Sequence, residues 1–557
     1  MRNEADSTSE WSPAARPVVI AGAGPVGMAL AMFLDFHGVP SILVDPEKTS
    51  RMLPKGNTHN ARTMEHYRRL GIAASLRELG LPIDHPTDVG YFTRLLGHEL
   101  ARIPMPSERE KRERLMEPRE QVVEPLLRAN QMYVERWIFD HVQTLPNVTA
   151  RLGWRCVAWV DGEGGVQVDF EEEGSGRRER LMASFLVGCD GGRSFVRRTL
   201  GIRFEGPPSL EQELFGGAML VSHLRCPELY RRFQQKRCWQ YWAVNPEARG
   251  ALVTLNGADE FMLHSSLAGL QEDGVDFAVA GLFHKLVGAP LEVQVLGNRK
   301  WNAGKFLVAE QFGVGRVLLA GDAVHIFTPT GGFGMNTGID DVANLAWKLA
   351  AIIHGWGGPT LLSSYQVERK PVAKRNTAAA RQLAMNVGEM KVPECLEAPG
   401  AEGAQARRKL GSFLSGFGEE FASIGVQFGA RYDDSPIVVH DGAAAPPDDP
   451  VRYVPSGVPG GRAPHVFMRG GKSLFDMFGR GFSLLCLNKR ASTVEFENAA
   501  KRARVPLTVV HVESEDAREL YGRDAVLVRP DQHVAWRGNA TPDDVDGVFG
   551  QVTGRHG

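Results

Sequence analysis

Residues 18–45 read as a strand, a glycine turn, a helix and a second strand, an order that limits what the rest of the chain can build. Val18-Val19-Ile20-Ala21 is a short apolar run of β-type residues, and Met28-Ala29-Leu30-Ala31-Met32-Phe33-Leu34 is an apolar helical run. Between them stands Gly22-Ala23-Gly24-Pro25-Val26-Gly27, a Gly-x-Gly-x-x-Gly turn. In such a turn the first glycine allows a tight reversal, the second lets backbone approach a pyrophosphate, and the third lets helix and strand pack closely. The helix N-terminus then offers N–H donors and partial positive charge to phosphate. A second apolar run, Ser41-Ile42-Leu43-Val44, ends at Asp45, where an acceptor for a ribose hydroxyl belongs. The unit predicts a βαβ dinucleotide site and does not by itself separate NAD from FAD.

At 557 residues, the chain is too long for one core of about 150 residues, so two or three domains are expected. A hydrophobic share of 43% with 23% charged residues suits large globular cores. The net charge of −2 provides no field to attract nucleic acid or an anionic membrane. Six cysteines (Cys156, Cys189, Cys226, Cys238, Cys395, Cys486) contain no CxxC pair, which argues against a disulfide framework or zinc site and fits a reducing cytoplasm. With no HxH or HExxH cluster, no metal is expected. Residues 1–16 are polar and lack an apolar core, so a flexible leader is expected there and not a signal peptide. No run approaches the roughly 18–20 apolar residues of a membrane span, and a cytoplasmic protein is the simplest reading.

Further along, alternating segments in 148–188 predict strands of a half-buried sheet and lead into Phe185-Leu186-Val187-Gly188-Cys189-Asp190-Gly191, a buried strand closing on a turn. β-rich stretches dominate 205–300, including Trp239-Gln240-Tyr241-Trp242, where alternation would place 239 and 241 on one face and 242 on the other. Arg316-Val317-Leu318-Leu319-Ala320 predicts another buried strand. Thr328–Asn336 predicts an irregular glycine-rich loop, followed by a long helix from about Gly338 to His354. Residues 443–450 read as a linker, and beyond them a β-α-β then β order predicts a small α/β domain.

Two further motifs, Asp190-Gly191-Gly192-Arg193-Ser194-Phe195-Val196-Arg197 and Gly321-Asp322-Ala323-Val324-His325, follow the first glycine turn in order. Together the three resemble the signature of the class A, single-component FAD-dependent aromatic hydroxylases, over roughly residues 17–375. The tail resembles the thioredoxin-like C-terminal domain of the phenol 2-monooxygenase and polyketide hydroxylase branch, through Gly461-Arg462-Ala463-Pro464-His465 and Leu527-Val528-Arg529-Pro530-Asp531. The resemblance implies an α/β fold in which a discontinuous Rossmann-like FAD-binding domain (17–84, 119–204, 301–390) interleaves with a β-sheet substrate domain (85–118, 205–300). A connecting helical region (391–439) and the thioredoxin-like domain (440–557) would follow. Cys486 stands alone in that tail, so packing or homodimer support is expected of it and not redox exchange.

Carried onto this sequence, the resemblance implies FAD contacts from Gly22, Gly24, Pro25, Gly27 and Asp45, with Asp322 on the ribityl hydroxyls and Gly321 beside it. It gives Asp190, Gly191 and Arg193 a dual role toward FAD and the nicotinamide cofactor. Arg62 belongs to the segment resembling the flavin-proximal helix, and Gln131 matches a glutamine near the flavin. Where the family carries Pro-Arg this chain has Pro54-Lys55, and Lys55 supplies charge without a bidentate fork. The loop and helix start at Pro329, Gly332, Gly334, Met335 and Asn336 would stabilise negative charge on the flavin N1–O2 edge.

The implied chemistry is reduction of FAD by NADPH or NADH, reaction of dioxygen to a C4a-hydroperoxyflavin, and transfer of one oxygen atom to a phenolic or polycyclic aromatic substrate. Tyr241 and His59 are the candidate catalytic residues, the first from an aromatic pocket and the second as a base. A core aromatic cluster and a loop histidine are the plainer readings of the same residues. His325 is read as a structural hydrogen-bonder. Baeyer–Villiger oxygen insertion or epoxidation on the same fold stays open, as does a non-redox binding protein on a flavin fold.

Overall fold

The computed structural model describes residues 16–50, 52–114, 119–206, 218–266, 275–302, 306–388, 391–421, 423–488 and 493–556. The expected leader lies outside them except for Arg16. Three distant chain segments meet in one six-stranded sheet, ordered Gly313–Val314, Val317–Leu319, Phe185–Gly188, Val18–Ala21, Ser41–Asp45, Val148–Leu152. The strand Val18–Ala21 lies at its middle, parallel to Ser41–Asp45 on one side and Phe185–Gly188 on the other. Both Val18–Ala21 and Phe185–Gly188 are buried at every residue, which is why their sequences are continuous apolar runs without alternation. The dinucleotide fold is therefore discontinuous.

Helix Pro25–Phe36 packs against helix Phe333–Ile353, which begins earlier than the sequence predicts. Gly334 and Gly338 are poor helix formers, but packing overrides propensity here. A Cβ on Gly338 would lie 2.6 Å from Val26 Cγ2 and 3.0 Å from Gly321 Cα, so only glycine allows the two helices to close on the turn. The preceding reversal is made by Gly331 and Gly332, at φ +75° and +66°.

A seven-stranded sheet, ordered Gln294–Asn302, Ala218–Arg225, Glu260–Ser266, Arg249–Thr254, Gln240–Val244, Val89–Phe92, Glu99–Ile103, forms the second layer. One face packs on helix Val275–Val287 through Leu220, Tyr241, Leu252, Phe261 and Leu263. The other face meets helix Gly400–Ser415 through Leu410 and Leu414, and turns toward the first sheet. At the C-terminus, strands Leu507–His511, Phe482–Cys486, Ala525–Val528 and Val534–Gly538 form a four-stranded sheet with helices Val494–Ala503, Glu515–Tyr521 and Val545–Val552. The first two strands are parallel and the last two antiparallel, giving the thioredoxin-like order.

This last unit is fastened to the FAD-type core by buried charge. Arg529 donates to both oxygens of Glu368 at 2.6 and 2.8 Å, and Lys348 donates to the same carboxylate at 2.6 Å. Arg462 reaches Glu65 in helix Ala61–Arg69. Pairing offsets the burial of these charges, whereas removing one partner would strand the rest. No helix among the described residues is long and apolar enough to cross a membrane, and they contain no cluster of His, Cys, Asp and Glu suited to a metal.

Candidate active site

A single cavity of about 1660 Å³ runs from the first glycine turn to the face of the seven-stranded sheet. A single drug-sized ligand fills roughly 300–1,000 Å³, so this volume accommodates a dinucleotide together with a second molecule. At the glycine end the strand Val18–Ala21 delivers Gly22, Gly24 and Pro25 to the wall. Gly22 sits at φ +108°, and a Cβ there would lie 2.4 Å from Cys189 O; on Gly27 it would lie 1.9 Å from Gly22 O. These two glycines serve packing, and Gly27 does not reach the cavity. Gly24 differs, because a Cβ on it would meet no protein atom within 4 Å. Its open side faces the cavity, as a backbone that receives a ligand requires.

Asp45 lines the same end and accepts from Ala23 N at 2.7 Å and Glu47 N at 2.9 Å. Asp190, Gly191 and Arg193 form another wall. Asp190 Oδ2 accepts from Phe195 N at 2.7 Å and Val196 N at 3.1 Å, fixing the short helix Phe195–Thr199, while its buried Oδ1 has no partner among the described residues. Arg197 ties this motif to the third by donating to Gly192 O and Ala323 O.

Asp322 lines the cavity with its side chain exposed to it, and accepts no hydrogen bond from any described residue. The cavity floor lies deep in the molecule, so burial pushes this carboxyl above its usual range, opposed by the charges of His325, Lys55 and Arg299. Gly321 is buried behind it at φ +63°, against Val26. His325 is also behind the wall, 2.7 Å from Asp341 Oδ2. Pro329, Gly332, Gly334 and Met335 line the cavity around the N-terminus of helix Phe333–Ile353, which carries no side-chain cap. Asn336 stands outside, accepting from Asn60 N at 2.9 Å and donating to Thr58 O at 3.0 Å, and so clamps two cavity loops together. Lys55 and Gln131 line the wall beside Glu135, with Lys55 Nζ 3.7 Å from its carboxylate. An Asp190 oxygen and an Asp322 carboxylate without described partners act as acceptors, and an open Gly24 and two uncapped helix N-termini offer N–H donors, a combination that fits FAD.

Besides Gly27, Gly321 and Asn336, three more predicted residues, Arg62, Tyr241 and His59, are not brought to this cavity. Arg62 is buried, donating to Asp531 O at 2.7 Å, Gln532 Oε1 at 2.8 Å and Glu65 at 3.0 Å, so it joins the C-terminal unit to the core. Tyr241 points to the opposite side of the sheet, where its hydroxyl is 3.1 Å from that of Tyr230 and accepts from Cys238 N at 2.8 Å. Trp239 and Trp242 both line the cavity, against the expected alternation, because the strand begins only at Gln240 and Trp239 precedes the pleat. His59 is 1% exposed, with neither ring nitrogen partnered among the described residues and its backbone paired to Leu127. Burial lowers its pKa to about 4, so the ring is neutral at pH 7.

Other cavity residues escaped sequence reading. Phe421, Ser423 and Gln427 come from the expected connecting region. Arg128 packs 3.6 Å above the Trp239 ring and bonds to Thr58. His264 rises from the sheet among apolar neighbours. An internal position in a strand as apolar as Phe261-Met262-Leu263-His264 gives no sign of which face meets the core.

Residues 15–380 match the family model of an FAD binding domain, and residues 456–555 match that of the aromatic-ring hydroxylase C-terminal domain. The chain belongs to the FAD-dependent aromatic hydroxylases. This hydroxylase is 32% identical to the FAD-dependent monooxygenase apdD of Emericella nidulans, over 96% of this chain and 90% of that protein. It is likewise 32% identical to a putative polyketide hydroxylase of Streptomyces halstedii, over 94% and 93%. Among solved structures it superposes on the rebeccamycin biosynthetic enzyme RebC with reduced flavin at a TM-score of 0.86, with 32% identity, covering 97% of this chain and 99% of that one. The hydroxylase is a flavoprotein monooxygenase with dioxygen as co-substrate.

Proposed function

We propose that this hydroxylase inserts one oxygen atom into the ring of a polycyclic phenol, with NADPH or NADH as the electron donor. The observation that carries the reading is the single cavity joining the FAD-type end to an aromatic, apolar sheet face. Its volume exceeds a dinucleotide site, and similarity to a polyketide hydroxylase supports a fused-ring substrate in the remainder.

FAD, when bound, accepts hydride from NAD(P)H and activates dioxygen for insertion of one oxygen atom. Gly24 and the N-terminus of helix Pro25–Phe36 would hold the pyrophosphate, Asp45 the adenosine ribose and Asp322 the ribityl chain. The N-terminus of helix Phe333–Ile353 would place partial positive charge at the flavin edge that becomes negative on reduction. Lys55, Gln131 and the Asp190–Arg193 turn complete the wall. At the sheet end Met219, Val221, Val253 and Met262 exclude water, while Trp239 and Trp242 supply aromatic surface. Arg62 acts on this site only through helix Ala61–Arg69. The boundaries 17–84, 119–204 and 301–390 for the FAD-binding pieces, and 85–118 and 205–300 for the substrate pieces, follow from the same reading, as does a cytoplasmic location for a chain with six unpaired thiols.

The test is a panel of monocyclic phenols, polycyclic phenols and ketones assayed for stimulated NAD(P)H oxidation, with product masses. Polycyclic phenols gaining one ring hydroxyl support the reading. Lactones or esters from ketones, or no stimulation by any aromatic compound, overturn it.

A further inference from the structure

The charged residues that line the cavity divide by origin. All of its acidic residues, Asp45, Glu47, Glu135, Glu171, Asp190 and Asp322, come from the FAD-type segments. From the seven-stranded sheet only Arg299 and Lys300 are charged, and both are basic. They are neighbours on the edge strand Gln294–Asn302, so the pleat turns their side chains to opposite faces. Arg299 stands directly opposite Val221, which lines the cavity, and Lys300 stands opposite Leu220, which packs toward helix Val275–Val287. Arg299 is thus the charged side chain that the sheet face directs at the cavity.

Two observations put Arg299 where the sheet meets the FAD-type segments. Gly297, two residues earlier, packs on Leu53 just ahead of Pro54-Lys55, where a Cβ would lie 2.8 Å from Leu53 Cδ2. The charge of Arg299 also reaches Asp322 on the FAD side of the wall. Arg299 is nevertheless exposed, and it makes no hydrogen bond or ion pair with any described residue. A guanidinium keeps its proton at every working pH, and its planar fork of N–H donors matches a carboxylate through two parallel hydrogen bonds. From Arg299 the row of directly opposed residues runs through Val221, His264 and Ala251 to Trp242. A flat molecule anchored at the arginine therefore lies along the sheet face.

Resting on the aromatic hydroxylation reading above, we propose that the substrate is an aromatic acid and that Arg299 binds its carboxylate where the sheet meets the FAD-type segments. The anchored carboxylate fixes which end of the fused rings sits at that junction, and the rings extend over Val221 toward Trp242. A neutral compound of the same shape fits the face but gives the guanidinium no counter-charge, which costs affinity.

The test uses the purified full-length protein loaded with FAD, titrated with 1-hydroxy-2-naphthoate and with its neutral amide while the flavin spectrum is followed. The wild type should bind the acid about tenfold or more tightly than the amide, the effect of hydrogen bonds to a charged group. Raising salt from about 0.05 to 0.5 M should shrink that advantage and leave the affinity for the amide unchanged. Arg299→Leu should bring the ratio to about one, and Arg299→Lys, which keeps the charge and loses the fork, should retain part of it. Flavin content and Tm establish that each variant is folded. A preference for the acid retained in flavin-loaded Arg299→Leu overturns the proposal, as does a wild type without that preference, including one that binds neither probe. The phosphates of the nicotinamide cofactor are the other anion that could meet this guanidinium. A raised KM for NADPH or NADH in Arg299→Leu with the acid-to-amide ratio intact assigns the residue to that cofactor and overturns the proposal. Binding separates these outcomes from the reaction. A wild type that prefers the acid through Arg299 but converts ketones to lactones removes the hydroxylation reading and leaves the carboxylate site, whereas ring hydroxylation with no part for Arg299 in the preference removes only the site.

Discussion

Two glycines three residues apart should respond in opposite ways to one added methyl group. At Gly24 the backbone is extended at φ −74°, a conformation alanine adopts, and the new Cβ has no protein atom within 4 Å. Gly24→Ala should leave the flavin-free protein as stable as before or firmer by roughly 0.4–1 kcal/mol, because the unfolded chain loses freedom. Its methyl enters the space assigned to the pyrophosphate, where overpacking of about 1–3 kcal/mol corresponds to roughly 5- to 150-fold weaker FAD binding. At Gly27 the Cβ would stand 1.9 Å from Gly22 O, a backbone atom that cannot swing aside. Gly27→Ala should therefore destabilise the flavin-free protein itself, by about 3 kcal/mol or more. Thermal unfolding of deflavinated protein and fluorescence titration with FAD measure the two quantities separately. Unchanged FAD affinity in Gly24→Ala, or a fold as damaged by Gly24→Ala as by Gly27→Ala, would refute the assignment of the open glycine face to the cofactor.

Other substitutions test other parts of the structure. Asp322→Ala should lower FAD retention on gel filtration without lowering the Tm of the flavin-free protein, since the carboxylate accepts no hydrogen bond from any described residue. Glu368→Ala leaves Lys348 and Arg529 buried without their shared partner and should cost about 3–5 kcal/mol, seen as a lower denaturant midpoint and faster proteolysis of the C-terminal unit. Acid should weaken the protein in two stages. His59, His264 and His465 are held at pKa about 4 by burial, below the ordinary 6.5, so stability is full above pH 6.5 and declines toward pH 4 as the unfolded chain takes up protons the folded one refuses. Despite burial, Arg529 and Lys348 hold Glu368 at about 2, so its contribution is present above pH 4.5 and lost as the pH falls toward 2. Denaturant midpoints measured from pH 8 to 3 give both slopes, and His59→Phe should flatten the first.

The FAD-type end was legible because each of its motifs is short and its physics local. Gly22, Gly24 and Gly27 act within one turn, and Asp45 and Asp322 end buried strands, so sequence order places them. Arg62 was misread for the opposite reason. Its partners Asp531 and Gln532 are more than 450 residues away, and a helix that faces both the cofactor and another unit looks the same in sequence either way. Tyr241 turned on where a strand begins, since a start at Gln240 and a preceding irregular Trp239 reverse the expected pairing of faces. Phe421 and Gln427 reach the cavity from a region whose sequence shows only helix and loop. His264 lay hidden behind the run Phe261-Met262-Leu263, whose unbroken apolar character does not tell which face of the strand Glu260–Ser266 meets the core.

The central claim, that oxygen is inserted into an aromatic ring at the sheet end of one shared cavity, is tested most directly by isotope. With FAD-loaded protein, NAD(P)H, 1-naphthol or a polycyclic phenol and ¹⁸O₂, mass spectrometry should find one ¹⁸O atom on the ring of the hydroxylated product. Product oxygen drawn from water, or a labelled lactone formed from a ketone with no phenol hydroxylated, would contradict it.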